Sequence, residues 1–192
     1  SVKALEQLGN LEVRHAVERH AKGEQAEALA LLRLGEKRLR TLLALQATSE
    51  RHTLLASMYK RIGQLHSQLS QDHAARQALG HAHWLREMCE HYQQADQAAL
   101  AQHGLRYYPL LNWLDGQALH HVRDGVAIPA HLGNHLTQAR DDARQHNQRE
   151  ASFFHAVAEI DADRTAALWA CLTGMDGNPL PLTEPEAQKQ LL

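Results

Sequence analysis

The chain has 192 residues, 44% of them hydrophobic and only 5% aromatic, and its 20 Lys and Arg against 22 Asp and Glu leave a formal net charge of -2. That length and apolar share can build a real core in one domain, and the scarcity of aromatic residues speaks against sheets. The near-neutral balance speaks against a dedicated nucleic-acid binder, which carries a basic excess. All five prolines lie at or beyond Pro109, so residues 1–108 lack the helix breaker. No segment alternates with the period of two that marks a strand, and the chain reads as all-α.

Leu5, Leu8, Leu11 and Val17 mark a first helix that stops near Ala21-Lys22-Gly23. Its partner carries Leu29, Leu32, Leu39 and Leu43, with Leu31, Leu42 and Leu45 widening the apolar surface as in a helix buried on two sides. Ser49 is the expected N-cap of a third helix, in which Leu55, Met58, Ile62, Leu65 and Leu69 recur at steps of 3 and 4. After the polar break Ser70-Gln71-Asp72, with Asp72 as cap, Ala75, Ala78, Ala82, Leu85, Cys89 and Tyr92 mark an antiparallel partner. Tyr107-Tyr108-Pro109 opens a third pair through Leu111, Leu114, Ala118 and Val122, closed by Asp124-Gly125. Pro129 then leads into Leu132, Leu136, Ala139 and Ala143, a narrow stripe that predicts an edge helix. Phe153, Phe154, Val157 and Ile160 begin a last helical region that either breaks at Asp161-Ala162-Asp163 or runs on through Leu168 and Leu172. Residues 1–174 form the expected helical domain, and 175–192, with Pro179, Pro181 and Pro185, an extended tail.

Successive helix pairs invite comparison with repeat architectures. Leu55-Ala56 with Tyr59, followed by an Ala-rich helix, resembles the first-helix signature of a tetratricopeptide repeat. Gly23 with Ala28 resembles that repeat's turn glycine and the small residue where its helices cross. The helices are longer than a 34-residue repeat permits, the period is irregular, and the inter-repeat Pro is missing after Ala95. Residues 50–160 also resemble a region of large bacterial multidomain proteins, through three stretches. These are Arg51-His52 with Ser57-Met58-Tyr59-Lys60-Arg61, then Tyr107 through Leu114, then Ser152 through Glu159. There, divergent tetratricopeptide-like helices sit beside signalling or protease-like domains. The resemblance implies a short tetratricopeptide-like α-solenoid of about seven helices, acting as a scaffold or regulatory module.

The 15 histidines are the oddest feature of the composition. His131 and His135 stand at i, i+4 on one helix face, a spacing that suits one Zn²⁺, but Leu132 occupies the position of the metalloprotease general base. His83, Glu87 and His91 form an i, i+4, i+8 stripe whose ends lie about 12 Å apart at 1.5 Å per residue, too far for one ion. The plainer reading pairs Glu87 with its flanking imidazoles. His155 with Glu159 is another local pair, and His120-His121 sit where a helix end favours a cation. The histidines therefore read as a surface property: protonating all of them takes the formal charge from -2 to +13. No Gly-x-Ser-x-Gly, phosphate loop or Cys-x-x-Cys occurs, so no catalytic residue, metal ligand or cofactor is assigned.

Charge is divided along the chain, with 11 Lys and Arg against 7 Asp and Glu in residues 1–61 and 9 against 15 in residues 62–192. Solvated helix faces account for this in the simplest way. The functional alternative is a groove for an acidic peptide, or head-to-tail contact between copies. The chain is expected to bind a protein or peptide partner, or a neighbouring domain, through a helix-lined groove. Arg51, Tyr59, Lys60, Asn112 and Trp113 are the candidate groove residues, although Tyr59 and Trp113 equally suit an inter-helix core. The competing reading is a histidine-dependent metal protein or enzyme. No apolar run is long enough to cross a bilayer, and no secretory signal opens the sequence. Cys89 and Cys171 are expected as buried reduced thiols of a cytoplasmic protein, and the missing initiator Met points to a piece of a longer chain.

Overall fold

The structure, a computed structural model, describes residues 1–68, 83–125, 128, 131–150 and 153–173. These residues are all-helical, with seven α-helices and no strand. The helices are α1 (Val2–Ala21), α2 (Gln25–Leu45), α3 (Ser49–Gln68), α4 (Trp84–Ala101), α5 (Tyr107–Asp124), α6 (Leu132–Arg149) and α7 (Phe153–Thr173). The predicted break at Ser70-Gln71-Asp72, the stripe from Ala75 to Ala82, Pro129 and the tail 175–192 lie outside the described residues. No described helix is long and apolar enough to cross a membrane.

The chain divides into two compact units, Ser1–Ala98 and one starting at Ala99. In the first, α1 packs chiefly on α2, and α3 packs on both. Ser1 caps α1 by accepting from Ala4 N at 3.3 Å, and the left-handed turn at Gly23 (φ +80°) starts the return into α2. The cap of α3 is Thr48, one residue before the predicted Ser49: its Oγ1 accepts from Arg51 N at 3.2 Å. The predicted stripe of α3 is the core of this unit, with Leu55, Met58, Ile62 and Leu65 all buried. Leu85, Cys89 and Tyr92 of α4 are buried as their spacing requires, and Tyr92 OH lies 3.1 Å from Ser57 Oγ of α3. Gly63 supplies the space for the Trp84 ring: a methyl group there would overlap three of its carbons.

In the second unit, α5, α6 and α7 pack against one another. Leu110, Leu111, Leu114, Ala118 and Leu119 point inward from α5. The narrow stripe of α6 reduces to Leu132, Ala139 and Ala143 as its buried residues. The last region runs as one helix through Asp161-Ala162-Asp163. Ala162 is buried there, while Asp163 meets Arg140 at 2.7 Å and Asp161 meets Arg164 at 3.7 Å. Buried Asp115 ties α5 to α7 by accepting from Thr165 Oγ1 at 2.8 Å and Arg164 Nη2 at 3.2 Å.

Candidate functional site

The apolar spacing that identifies α1 does not identify the face it buries. Glu6, Gly9, Glu12, Val13 and Ala16 are buried, whereas Leu5, Leu8 and Leu11 are 39–45% exposed. The two sets are centred roughly a quarter-turn apart at 100° per residue. Small residues decide between them. A Cβ on Gly35 would stand 3.4 Å from the Gly9 carbonyl oxygen and 3.2 Å from Val13 Cγ2, and one on Gly9 would stand 3.1 Å from Leu39 Cδ2, so each glycine makes room for the facing helix. At such a crossing, leucines on both helices would hold the backbones apart.

Polar residues complete the buried seam. Arg38 Nε donates to both Glu12 oxygens at 2.8 and 3.0 Å. Arg51 Nε donates to Glu6 Oε1 at 2.8 Å, and Arg51 Nη1 donates to the carbonyls of Leu42 and Gln46 at 3.0 and 2.7 Å. One guanidinium thus neutralises a buried carboxylate and satisfies carbonyls at the end of α2. Its hydrogen bond holds the Glu6 carboxyl below the usual range, against the opposing effect of burial. Lys3, which pairs with Glu50, adds to the same depression.

The displaced leucines form a surface. Val2, Leu5, Leu8 and Leu11 are exposed on α1, and Leu34 and Leu45 on α2. A groove of about 310 Å³ between the helices is lined by Leu5, Leu34, Lys37, Arg38, Thr41, Leu42 and Leu45. A separate hollow on α1 alone is lined by Ala4, Gln7, Leu8, Asn10, Leu11 and Arg14. Single exposed leucines are ordinary, but several contiguous ones rimmed by charge are not.

The predicted groove residues are placed elsewhere. Arg51 and Tyr59 of α3 are buried in the first unit, and half-buried Lys60 follows them. Tyr59 OH donates to Glu36 Oε1 at 2.6 Å and accepts from Arg40, whose Nη2 also donates to Glu87 Oε2 at 2.8 Å. Burial, then the bond to Glu36, raises the Tyr59 pKa. On α5 of the second unit, half-buried Asn112 donates to Tyr108 O at 2.9 Å. Buried Trp113 meets the His135 ring edge-on at 5.7 Å between centroids.

The histidines also differ from their predicted role. His52 of α3 and His91 of α4 are buried with their Nδ1 atoms 3.1 Å apart, so one donates while the other accepts. Burial and then the neighbouring His91 push His52 down to about 4. Burial and then the Arg40 cation lower His91, with Glu87 and Gln94 acting in the opposite sense. Glu87 is committed to Arg40 rather than to its flanking imidazoles. Among the described residues no three His, Cys, Asp or Glu are grouped to hold a metal ion. The His155 side chain lies outside the described set, and Glu159 pairs with Arg144 at 3.3 Å and Asn147 at 3.0 Å.

Compared with known proteins, the chain matches no family model, no curated protein and no solved structure.

Proposed function

We propose that the chain is a non-catalytic protein-interaction module, holding a partner protein or a neighbouring domain on the outer face of α1 and α2. The contiguous exposed row Leu5, Leu8, Leu11, Leu34 and Leu45 carries this reading, because burying it against another surface is worth about 25 cal/mol per Å² of apolar area. The polar clusters that resemble catalytic machinery in composition are consumed internally. Arg40, Tyr59, Glu36 and Glu87 bind one another, and His52 binds His91. Within this proposal the chain is a divergent tetratricopeptide-like segment of a larger bacterial protein. Its two cysteines, neither of them in a disulfide, suit the reducing cytoplasm.

The test is retention of partners from host-cell extract by the immobilised chain and by a Leu8→Glu/Leu11→Glu variant. Both positions are exposed, so the variant is expected to keep wild-type helicity by circular dichroism. A protein retained in stoichiometric amount by the wild type and lost with the variant supports the reading. Identical retention by both, or none by either, overturns it.

A further inference from the structure

Every charged residue lining the α1–α2 groove is a cation. Lys37 and Arg38 stand along it, and no carboxylate is among its lining residues. Arg38 is neutralised by Glu12, whereas Lys37 makes no ion pair among the described residues. The apolar positions follow helix geometry: Leu34 to Leu45 on α2 covers about 16 Å at 1.5 Å per residue, or three turns. A row of that length between two helices fits the apolar stripe of a third helix, as in other helix-in-groove complexes.

We propose that this face takes an acidic amphipathic helix of a partner protein, about three turns long. Its leucine-type stripe lies along Leu5, Leu8, Leu34 and Leu45, and its flanking Asp or Glu side chains meet Lys37. This rests on the reading of the chain as an interaction module and adds the chemistry of the partner. Charge also argues against a second copy as the occupant. Two such faces in symmetric contact would bring their cations together. Three acidic side chains of the second unit are already paired, Asp163 with Arg140 and Arg144, Glu159 with Arg144 and Asp161 with Arg164.

Three synthetic peptides of about 18 residues, long enough to hold a helix, share one leucine stripe and differ in having Glu, Lys or Gln beside it. Their binding to the whole chain is read by fluorescence anisotropy. The Glu peptide is expected to bind about tenfold or more tighter than the others and to weaken as salt is raised. Leu8→Glu abolishes that binding, and Lys37→Glu narrows or reverses the preference between Glu and Lys peptides. Circular dichroism verifies the fold of both variants. Equal binding of all three peptides, lost in Leu8→Glu, overturns the acidic partner and leaves the interaction face standing. Binding that survives Leu8→Glu, or none at all, overturns the proposed occupant, while the extract experiment decides the broader reading by itself. Self-association in sedimentation that disappears in Leu8→Glu also overturns it, by making a second copy the occupant.

Discussion

Helices α1 and α3 are both 20 residues long and both carry large apolar residues at helical spacing, yet they use them in opposite ways. On α3 the row Leu55, Met58, Ile62 and Leu65 is buried, each residue no more than 2% exposed. On α1 the row Leu5, Leu8 and Leu11 faces outward, and the interior receives Gly9, Val13, Ala16 and two carboxylates. Periodicity therefore establishes that a helix exists, while a second stripe of small residues can decide which side faces the core. Close backbone approach at Gly9 and Gly35 and the ion pairs of Glu6 and Glu12 fix α1. Side-chain volume fixes α3.

Four measurements test that contrast. The largest effect is expected at the polar seam: Arg51→Ala leaves buried Glu6 with only the exposed Lys3 at 3.5 Å and should cost about 3–5 kcal/mol in urea unfolding. A cost below about 1 kcal/mol would show that the seam does not hold α1. Leu55→Ala, in the interior of α3, should cost about 2–5 kcal/mol by the same measurement. The His52–His91 contact adds a pH dependence to α3 that sets in below pH 6.5, above the carboxylate range in which Glu6 of α1 responds. With its pKa lowered to about 4, His52 stays neutral in the fold while the unfolded chain takes up the proton below pH 6.5. Its stabilisation is complete above pH 6.5, declines as the pH falls towards 4, and amounts to roughly 3 kcal/mol. Melting of wild type and His52→Gln across that range checks it; equal slopes would assign acid sensitivity to the other histidines. The smallest change belongs to Leu8→Ala, which should alter stability by less than about 0.5 kcal/mol. A loss resembling that of Leu55→Ala would erase the distinction between the two helices.

The legible part of the fold was what repeats locally. Steps of 3 and 4 located most of the buried residues of α3, α5 and α6, although Val122 and Leu136 are only half-buried, and turn chemistry located the end of α1 at Gly23 and of α5 at Gly125. The cap of α3 fell one residue away because Thr48 and Ser49 offer the same hydroxyl chemistry. The candidate site was less legible. Arg51 and Tyr59 carry the groups of a binding groove, but Glu6 and Glu36, 45 and 23 residues away, take them up. Nothing in spacing reveals such partners. The signal that did exist was Gly9 facing Gly35, a pair of small residues meaningful only once α1 and α2 are laid side by side.

Helicity, the turns that end α1 and α5 and the facing of α3 are legible in the sequence alone, because hydrogen bonding, capping and amphipathic spacing act within a few residues. That the leucines of α1 form a surface, that Glu6 and Glu12 lie inside, and that two of the 15 histidines are buried in contact emerges only in the folded chain. Those outcomes depend on volume, charge pairing and desolvation between residues far apart in the chain, which no local pattern contains.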